Sequence, residues 1–300
     1  MTMQTPALTE AWNTWIGAER LARALGDDDL AVIDARFELA DPGAGEAGWR
    51  QARIPGARYA HLDRDLSAPA ESGAEAALHG QGRHPWPRAA EFAARLRAWG
   101  VTPAHRVAVY DAAGGALAAA RLWFLLRALG HEKVAVLDGG WQHWLAQGLP
   151  IDREPPAPTA SAAAPYPGDF DAGLLLDAPQ VQAHLRAGGL LVDVRAPERF
   201  RGDVEPIDRV GGHVPGAVNR PFADNLRDGL SKPPAELAAE FEGLLDGRAP
   251  RELVAMCGSG VSACHHLLAM AHAGLPGARL FTGSWSGWIE APSRPIATGA

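Results

Sequence analysis

The residues with the clearest potential for chemistry lie in one short stretch, LVAMCGSGVSA at 253–263. An apolar run that is typical of a buried strand leads directly into Cys257. Gly258 and Gly260 follow, and residues 261–273 then contain no proline or glycine and carry apolar side chains at helical spacing. The pattern predicts a strand, a tight glycine loop and a helix, with a cysteine where the strand ends.

This arrangement would allow the cysteine to act as a nucleophile. Glycines let backbone N–H groups turn toward the centre of a loop, and the following helix adds its positive N-terminal end, so the loop favours an anion. If that anion is the side chain of Cys257, a thiolate nucleophile is present at neutral pH. The alternative is a buried cysteine that only packs, as free cysteines commonly do.

The second cysteine, Cys264, follows seven residues later on the apolar face of the predicted helix. A disulfide with Cys257 would unwind that helix, so we expect both cysteines to be reduced. We expect Cys264 to pack in the core, with a redox role as the alternative.

Length and composition limit the classes of function. The chain has 300 residues, 47% hydrophobic and 21% charged, which indicates a globular protein of roughly two domains. The formal net charge of −7 argues against nucleic acid as a main partner. Arginines interrupt the apolar stretches, so no membrane span or membrane partner is predicted. The N-terminal residues lack the pattern of a secretory signal, and we expect a cytoplasmic protein.

The chain contains an internal repeat. A strand that ends in an acid, a PGA turn, a strand with a glycine-rich loop, and a strand followed by glycine and tryptophan occur in the same order in both halves. A proline- and alanine-rich run at 151–170 predicts a linker between them. We expect an N-terminal domain over 10–150 and a C-terminal domain over 171–292. Asp111 occupies the position of Cys257, so the first domain lacks the nucleophile.

Together these stretches resemble the tandem-domain rhodanese-like sulfurtransferases, which include thiosulfate and 3-mercaptopyruvate sulfurtransferases. The matching motifs cover almost the whole chain and include RIPGA (53–57), GRHPWP (82–87), DVRAPERF (193–200), CGSGVSACH (257–265) and GSWSGW (283–288). The resemblance implies an α/β fold of two tandem rhodanese-like domains, each an open, mainly parallel sheet flanked by helices. It also implies that Cys257 carries sulfur as a persulfide, without a metal or an organic cofactor.

The resemblance assigns further residues to the site. Arg199 would bind the anionic group of the sulfur donor, with Arg195 nearby. Ser259 would act together with His84 and Asp63 on a mercaptopyruvate donor. The remaining loop residues that would surround the substrate are Gly258, Gly260, Val261 and Ser262. The alternatives are a surface ion pair for Arg199 and ordinary loop roles for the others.

The motifs favour a carboxylate donor over thiosulfate. Thiosulfate-type members carry basic residues directly after the cysteine, where this chain has Gly258 and Ser259. Mercaptopyruvate-type members usually carry a second arginine after an EPEP stretch, but here EPID places Ile207 and Asp208 there, with Arg209 displaced. We expect 3-mercaptopyruvate as the donor, with thiosulfate as the alternative, and a thiol, thioredoxin or cyanide as the acceptor.

Other functions fit only part of the pattern. A cysteine phosphatase needs an arginine six residues after the nucleophile, and that position is Ala263. A rhodanese-like docking module without activity can lose its cysteine, which this chain retains.

His265, His266 and His272 lack acidic partners at ligand spacing, so no metal site is predicted. The glycine pattern GAGEAG at 43–48 is interpreted as a surface loop.

Overall fold

Two parallel sheets organise the computed structural model, which describes residues 12–70, 73–155 and 166–299. The strands of the first sheet are β1 (Trp15–Ile16), β2 (Leu30–Asp34), β3 (Arg58–Tyr59), β4 (Arg106–Tyr110) and β5 (Val134–Leu137), in the order β1-β5-β4-β2-β3. In the second half the strands are β6 (Leu175–Leu176), β7 (Leu190–Asp193), β8 (Val218–Asn219), the hairpin of β9 (Leu226–Arg227) and β10 (Leu230–Ser231), β11 (Leu253–Met256) and β12 (Arg279–Phe281). The β9–β10 hairpin is separate, and the other five strands form a sheet of the order β6-β12-β11-β7-β8, which has the same topology as the first sheet.

Helices flank both sheets, which confirms the predicted α/β class. They are α1 (Ala18–Ala24), α2 (Ala44–Gln51), α3 (Leu62–Asp65), α4 (Ala74–His79), α5 (Ala89–Ala98), α6 (Ala118–Ala128), α7 (Gly140–Ala146), α8 (Ala178–Arg186), α9 (Pro197–Arg201), α10 (Pro234–Leu245), α11 (Ser262–His272) and α12 (Ser284–Trp288). Short 3₁₀ turns cover Ala172–Leu174, Phe222–Asn225 and Pro250–Glu252. None of these described helices has the length and apolarity needed to span a bilayer.

The helix α2 corrects the interpretation of residues 43–48 as a surface loop. A Cβ on Gly45 would lie 1.8 Å from the carbonyl oxygen of Arg36, so this glycine lets the helix pack closely against the chain that leaves β2. Gly45 therefore serves close packing.

The domain boundaries at 10–150, 151–170 and 171–292 stay a prediction, and residues 10–11 and 156–165 lie outside the described residues.

The two central strands, β4 and β11, position the site. Both are apolar and buried because helices cover both faces of each sheet. Each strand leads into a loop and then into a buried helix, and these two helices, α6 and α11, pack against each other. One hydrophobic cluster runs through both halves and includes Leu122 of α6 and Leu268 of α11. The loops after the two central strands are therefore held close to the boundary between the halves.

Two fully buried histidines lie on α11 within this core. His265 contacts the rings of Trp15 and Phe222, and His266 contacts the ring of Phe241. Neither ring nitrogen of His266 has a hydrogen-bond partner among the described residues. Protonation would therefore place a charge in an apolar environment that offers no acceptor for it.

Acid is expected to destabilise the fold through these histidines. Burial lowers the pKa of His265 to about 3 and the pKa of His266 well below its usual value, and Arg220 adds to both shifts. In the unfolded chain both titrate near 6.5, so the unfolded state binds more protons below that pH. Their contribution is complete above about pH 6.5 and is lost as the pH falls toward 3, at about 1.4 kcal/mol per pH unit for each histidine.

Urea unfolding at several pH values between 7 and 5 measures this slope. His266→Leu should reduce the slope by about one proton, whereas His143→Gln, at a partly exposed position, serves as the control. An unchanged slope in the His266 variant would contradict the assignment.

Candidate active site

A cavity of about 250 Å³ lies between the two halves of the chain, at the end of β11. Cys257 lies in its wall and is 2% exposed. The first half contributes Phe37, Leu39, Leu62, Arg83, His84, Leu117 and Ala118, and the second contributes Arg199, Ile207, Cys257, Gly258, Ser259, Val261 and Ser262. Most of the residues assigned from the sequence thus reach one cavity.

The equivalent loop of the first half binds an anion that belongs to the chain itself. The Asp111 carboxylate accepts hydrogen bonds from the backbone N–H groups of Ala113 and Gly115 through Oδ1, at 2.9 and 2.8 Å. Its Oδ2 accepts from Leu117 and Ala119, at 3.0 and 3.2 Å. Burial raises the pKa of Asp111, and these four donors oppose the increase. A loop after the central strand of this fold can therefore surround an anion with N–H groups.

In the second half, the carbonyl groups at the start of the loop are turned toward α12. The carbonyl of Cys257 accepts from the N–H of Trp285 at 3.0 Å, and that of Gly258 accepts from Ser286 at 2.8 Å. The Cys257 N–H donates to the hydroxyl of Ser284 at 3.0 Å. These contacts fix the backbone of Cys257 at the end of its strand and keep two carbonyl dipoles bonded to another element.

Gly260 is part of the loop but does not line the cavity, which corrects its assignment to the substrate-binding residues. Its φ is +74°, and a Cβ there would lie 2.4 Å from the carbonyl oxygen of Thr282. Only glycine fits this left-handed, close-packed position. Its carbonyl accepts a hydrogen bond from the thiol of Cys264 at 3.3 Å.

Sequence reasoning missed Arg121, a fully buried residue of α6. Its guanidinium donates to the carbonyl oxygens of Gly260 and His84, at 3.0 and 3.1 Å, and forms no carboxylate ion pair within the described residues. Burial lowers its pKa, and ionised Cys264 and Cys257 would raise it. An arginine in the middle of an otherwise apolar helix is the signal that could have identified it, because an uncompensated buried charge is costly.

The structure brings Ser259, His84 and Asp63 together. The Ser259 hydroxyl lies 2.7 Å from Nδ1 of His84, and Nε2 of His84 lies 3.2 Å from Oδ1 of Asp63. Burial, with the charges of Arg121 and Arg83, lowers the pKa of His84 to about 3, so the ring is neutral. The partners assign the tautomer: Nε2–H donates to the carboxylate, and Nδ1 accepts from the hydroxyl.

The two arginines of the DVRAPERF motif have different positions. Arg199 lines the cavity and pairs with Glu205, at 2.6 Å from Nη2 to Oε1. Arg195, predicted near the donor, is buried and does not line the cavity, which corrects that assignment. Its guanidinium pairs with Asp193 at 2.6 Å and lies 4.8 Å from the ring centre of Trp285. It also donates to the carbonyl oxygen of Gly212 at 2.7 Å and contacts Glu205 at 3.3 Å, so it helps to hold the partner of Arg199 in place.

Comparisons with known proteins agree with this architecture. The model of the rhodanese-like domain matches residues 17–147 and 177–291. The chain is 49% identical over 289 residues to the probable 3-mercaptopyruvate sulfurtransferase of Pseudomonas aeruginosa, covering 94% of this chain and 97% of that protein. It is 36% identical to the putative thiosulfate sulfurtransferase SseB of Mycobacterium tuberculosis, covering 94% and 95%.

Solved structures place the fold in the same group. The crystal structure of SseA from Escherichia coli, described among 3-mercaptopyruvate sulfotransferases, matches with a TM-score of 0.74 and 30% identity, covering 92% of this chain and 99% of that one. The matched family model and the relatives span both halves of the chain. The chain therefore belongs to the rhodanese-like family, as a tandem-domain sulfurtransferase that transfers sulfur from a small donor to an acceptor.

Proposed function

We propose that this sulfurtransferase takes sulfur from 3-mercaptopyruvate and passes it to a thiol, thioredoxin or cyanide through a persulfide on Cys257. The observation that carries the proposal is the hydrogen-bonded series of Ser259, His84 and Asp63 beside the nucleophile, with contacts of 2.7 and 3.2 Å. A mercaptopyruvate donor requires a proton transfer to carbon, and this series can perform it. A thiosulfate donor requires none.

The first step is attack of the Cys257 thiolate on the donor sulfur. A sulfur–sulfur bond forms, the carbon–sulfur bond breaks, and its electron pair remains on carbon as the enolate of pyruvate. The charge of Arg121 and the N–H groups of the loop, in the role that their counterparts play for Asp111, support a negative charge on sulfur before and after the attack.

The proton balance of this step involves the histidine. The donor thiol loses its proton, and the enolate carbon gains one. Because His84 is neutral and Nδ1 accepts from the Ser259 hydroxyl, the ring can receive the thiol proton through Ser259 and return it to the carbon. The transient imidazolium can donate this proton to the carbon, and the Asp63 carboxylate, 3.2 Å from Nε2, offsets its charge.

The second step returns the enzyme to its starting state. An acceptor thiolate or cyanide attacks the outer sulfur, and the sulfur–sulfur bond breaks with the electron pair on Cys257. The rim of the cavity includes Leu39 and Ile207, which are 45% and 44% exposed, so an acceptor can approach from solvent. Both cysteines are reduced, which fits a reducing compartment and a cytoplasmic location.

Thiosulfate is the second candidate donor, and one observation favours it. The loop lacks basic residues after Cys257, but Nη2 of Arg83 and Nη2 of Arg199 lie 3.4 and 3.7 Å from the position that a Cβ would take on Gly258. These arginines can supply the positive charge that a departing sulfite needs.

Steady-state kinetics with the two donors and one acceptor tests the proposal. We expect kcat/KM for 3-mercaptopyruvate to exceed that for thiosulfate by about tenfold or more, because only the former uses the proton relay. Mass spectrometry of the donor-treated enzyme should find one added sulfur atom on the peptide containing Cys257. Equal or higher kcat/KM for thiosulfate would overturn the donor assignment, and absence of the added sulfur with both donors would overturn the persulfide route.

A further inference from the structure

A second arginine, Arg83, reaches the cavity from the first half of the chain. We propose that Arg83 and Arg199 bind the anionic group of the donor together, and that Asp208 is an internal counter-ion which the donor displaces. The proposal rests on the proposed function in one respect, since it requires an anionic donor. It assigns to Arg83 the role of a second donor-binding cation.

The position of Arg83 places its charge next to the nucleophile. Its backbone N–H donates to the hydroxyl of Ser286 at 3.0 Å, which fixes the segment 82–87 of the first half to the second half. Its Nη2 lies 3.4 Å from the Cβ position of Gly258, the residue directly after Cys257, and Arg199 approaches the same point at 3.7 Å. Two guanidinium groups from different halves thus converge on the residue that follows Cys257.

Arg83 also has unused capacity to bind an anion. Its Nη1 donates to Oδ1 of Asp208 at 2.7 Å. Its Nε is buried and has no hydrogen-bond partner among the described residues. An unpaired buried donor carries a free-energy cost that an incoming oxygen atom removes. Carboxylate and sulfonate groups match the planar donor arrangement of arginine, so the cavity is prepared for that class of ligand.

The two carboxylates near these arginines differ in how firmly they are held. Glu205 binds Arg199, contacts Arg195 at 3.3 Å, and accepts from the backbone N–H groups of Ile207 and Asp208, both at 3.1 Å. Burial raises its pKa, but the Arg199 and backbone hydrogen bonds outweigh burial and leave the pKa lowered. Glu205 is therefore a fixed partner of Arg199.

The Asp208 carboxylate has fewer partners than that of Glu205. In the described part of the chain its carboxylate pairs with Arg83 at 2.7 Å and with Arg199 at 3.3 Å, the same two side chains that face the cavity. With Glu205 and Asp208 in place, the charges of the two arginines are balanced. A donor carboxylate that replaces Asp208 keeps this balance, whereas a donor that enters beside Asp208 meets its repulsion. Asp208 should therefore weaken the binding of every small anion.

Kinetic constants for 3-mercaptopyruvate in three variants test these roles. Arg83→Gln should raise KM by about tenfold with a change in kcat of less than about threefold, because it removes a binding charge and leaves the sulfur and the proton relay intact. Asp208→Asn should lower KM by several-fold. In the Arg83→Gln background Asp208→Asn should have a smaller effect, since the charge that it neutralises is already gone. Asp203→Asn is the matched control, because it breaks a surface pair with Arg201.

Equilibrium binding separates this proposal from the proposed function. Pyruvate, an unreactive carboxylate, can be titrated by calorimetry into the Cys257→Ser protein, where no turnover occurs. Tighter pyruvate binding with Asp208→Asn and weaker binding with Arg83→Gln would support the counter-ion. Unchanged pyruvate binding in both variants, together with a lowered Tm, would make the Arg83 and Asp208 pair a contact that only joins the halves, and would overturn the proposal. Failure of the proposed function would appear instead as no added sulfur on Cys257.

Discussion

Cys257→Ser is expected to abolish sulfur transfer with every donor, whereas Cys264→Ser is expected to retain most of it. Cys257 lies in the cavity wall at the end of β11. Cys264 is fully buried, and burial raises the pKa of its thiol to about 12, so it is neither accessible nor ionised at neutral pH. Loss of the covalent sulfur carrier should reduce kcat by about a thousandfold or more, measured as thiocyanate or thiol persulfide formed.

Thermal unfolding of each variant is the control, because it shows whether a loss of activity comes from a loss of folded protein. Cys264→Ser places a hydroxyl where the thiol donates to the carbonyl of Gly260, so a small decrease in Tm is expected, and Cys264→Ala gives a variant without a new polar group. If either Cys264 variant remains folded but loses activity to the same extent as Cys257→Ser, then Cys257 is not the sole carrier. Mass spectrometry after donor treatment should place the added sulfur on Cys257 in wild-type protein and in both Cys264 variants.

The strand and loop that present Cys257 could be predicted because they depend on local pattern. An apolar run, two glycines and a helical stretch follow one another, and each folds as its local preferences require. The fold class followed from the repetition of such units in both halves. The glycines at 43–48 gave the wrong interpretation, because close packing of α2 on the chain after β2 is a tertiary requirement that the local pattern does not reveal.

The role of Arg195 could have been read from the internal repeat. The first half has the same arrangement without a nucleophile, since Arg36 pairs with Asp34 at 2.6 Å and lies 4.5 Å from the ring centre of Trp141. A pair that is present in both halves, including the half that lacks the cysteine, stabilises the fold and is not specific to the site. The buried pair of Arg195 and Asp193 is therefore structural, in contrast to Arg199, which faces the cavity.

Arg83 and Arg121 could not be placed from sequence spacing. Arg121 lies more than a hundred residues before the loop that it contacts. Arg83 belongs to the segment 82–87, whose conformation depends on contacts with the second half. Similarly, Ser259 and His84 are 175 residues apart, and only the resemblance to the family linked them. Long-range contacts of this kind depend on how the two halves pack together, including α6 on α11, which no local pattern specifies.

Ser259→Ala is expected to impair turnover of 3-mercaptopyruvate much more than turnover of thiosulfate. In the proposed relay, the Ser259 hydroxyl links the reacting atoms to His84, whose ring is neutral and lies 2.7 Å away. Removing a general acid–base relay should lower kcat for 3-mercaptopyruvate by about a hundredfold or more. Thiosulfate releases sulfite without protonation of carbon, so its loss should be smaller by about tenfold or more.

The ratio of the two losses decides between a proton relay and mere support of the loop. If Ser259 only stabilises the loop, its removal displaces Cys257 and impairs both donors equally, which would refute the relay even if the enzyme prefers 3-mercaptopyruvate. His84→Gln should reproduce the unequal loss, because the relay needs the ring nitrogen behind the hydroxyl. Ser231→Ala is the matched control, since it also removes a serine hydroxyl bonded to a side chain, Asp138 at 2.7 Å, but lies outside the cavity. Its effects on the two donors should be equal and small, because neither its hydroxyl nor its partner faces the reacting sulfur.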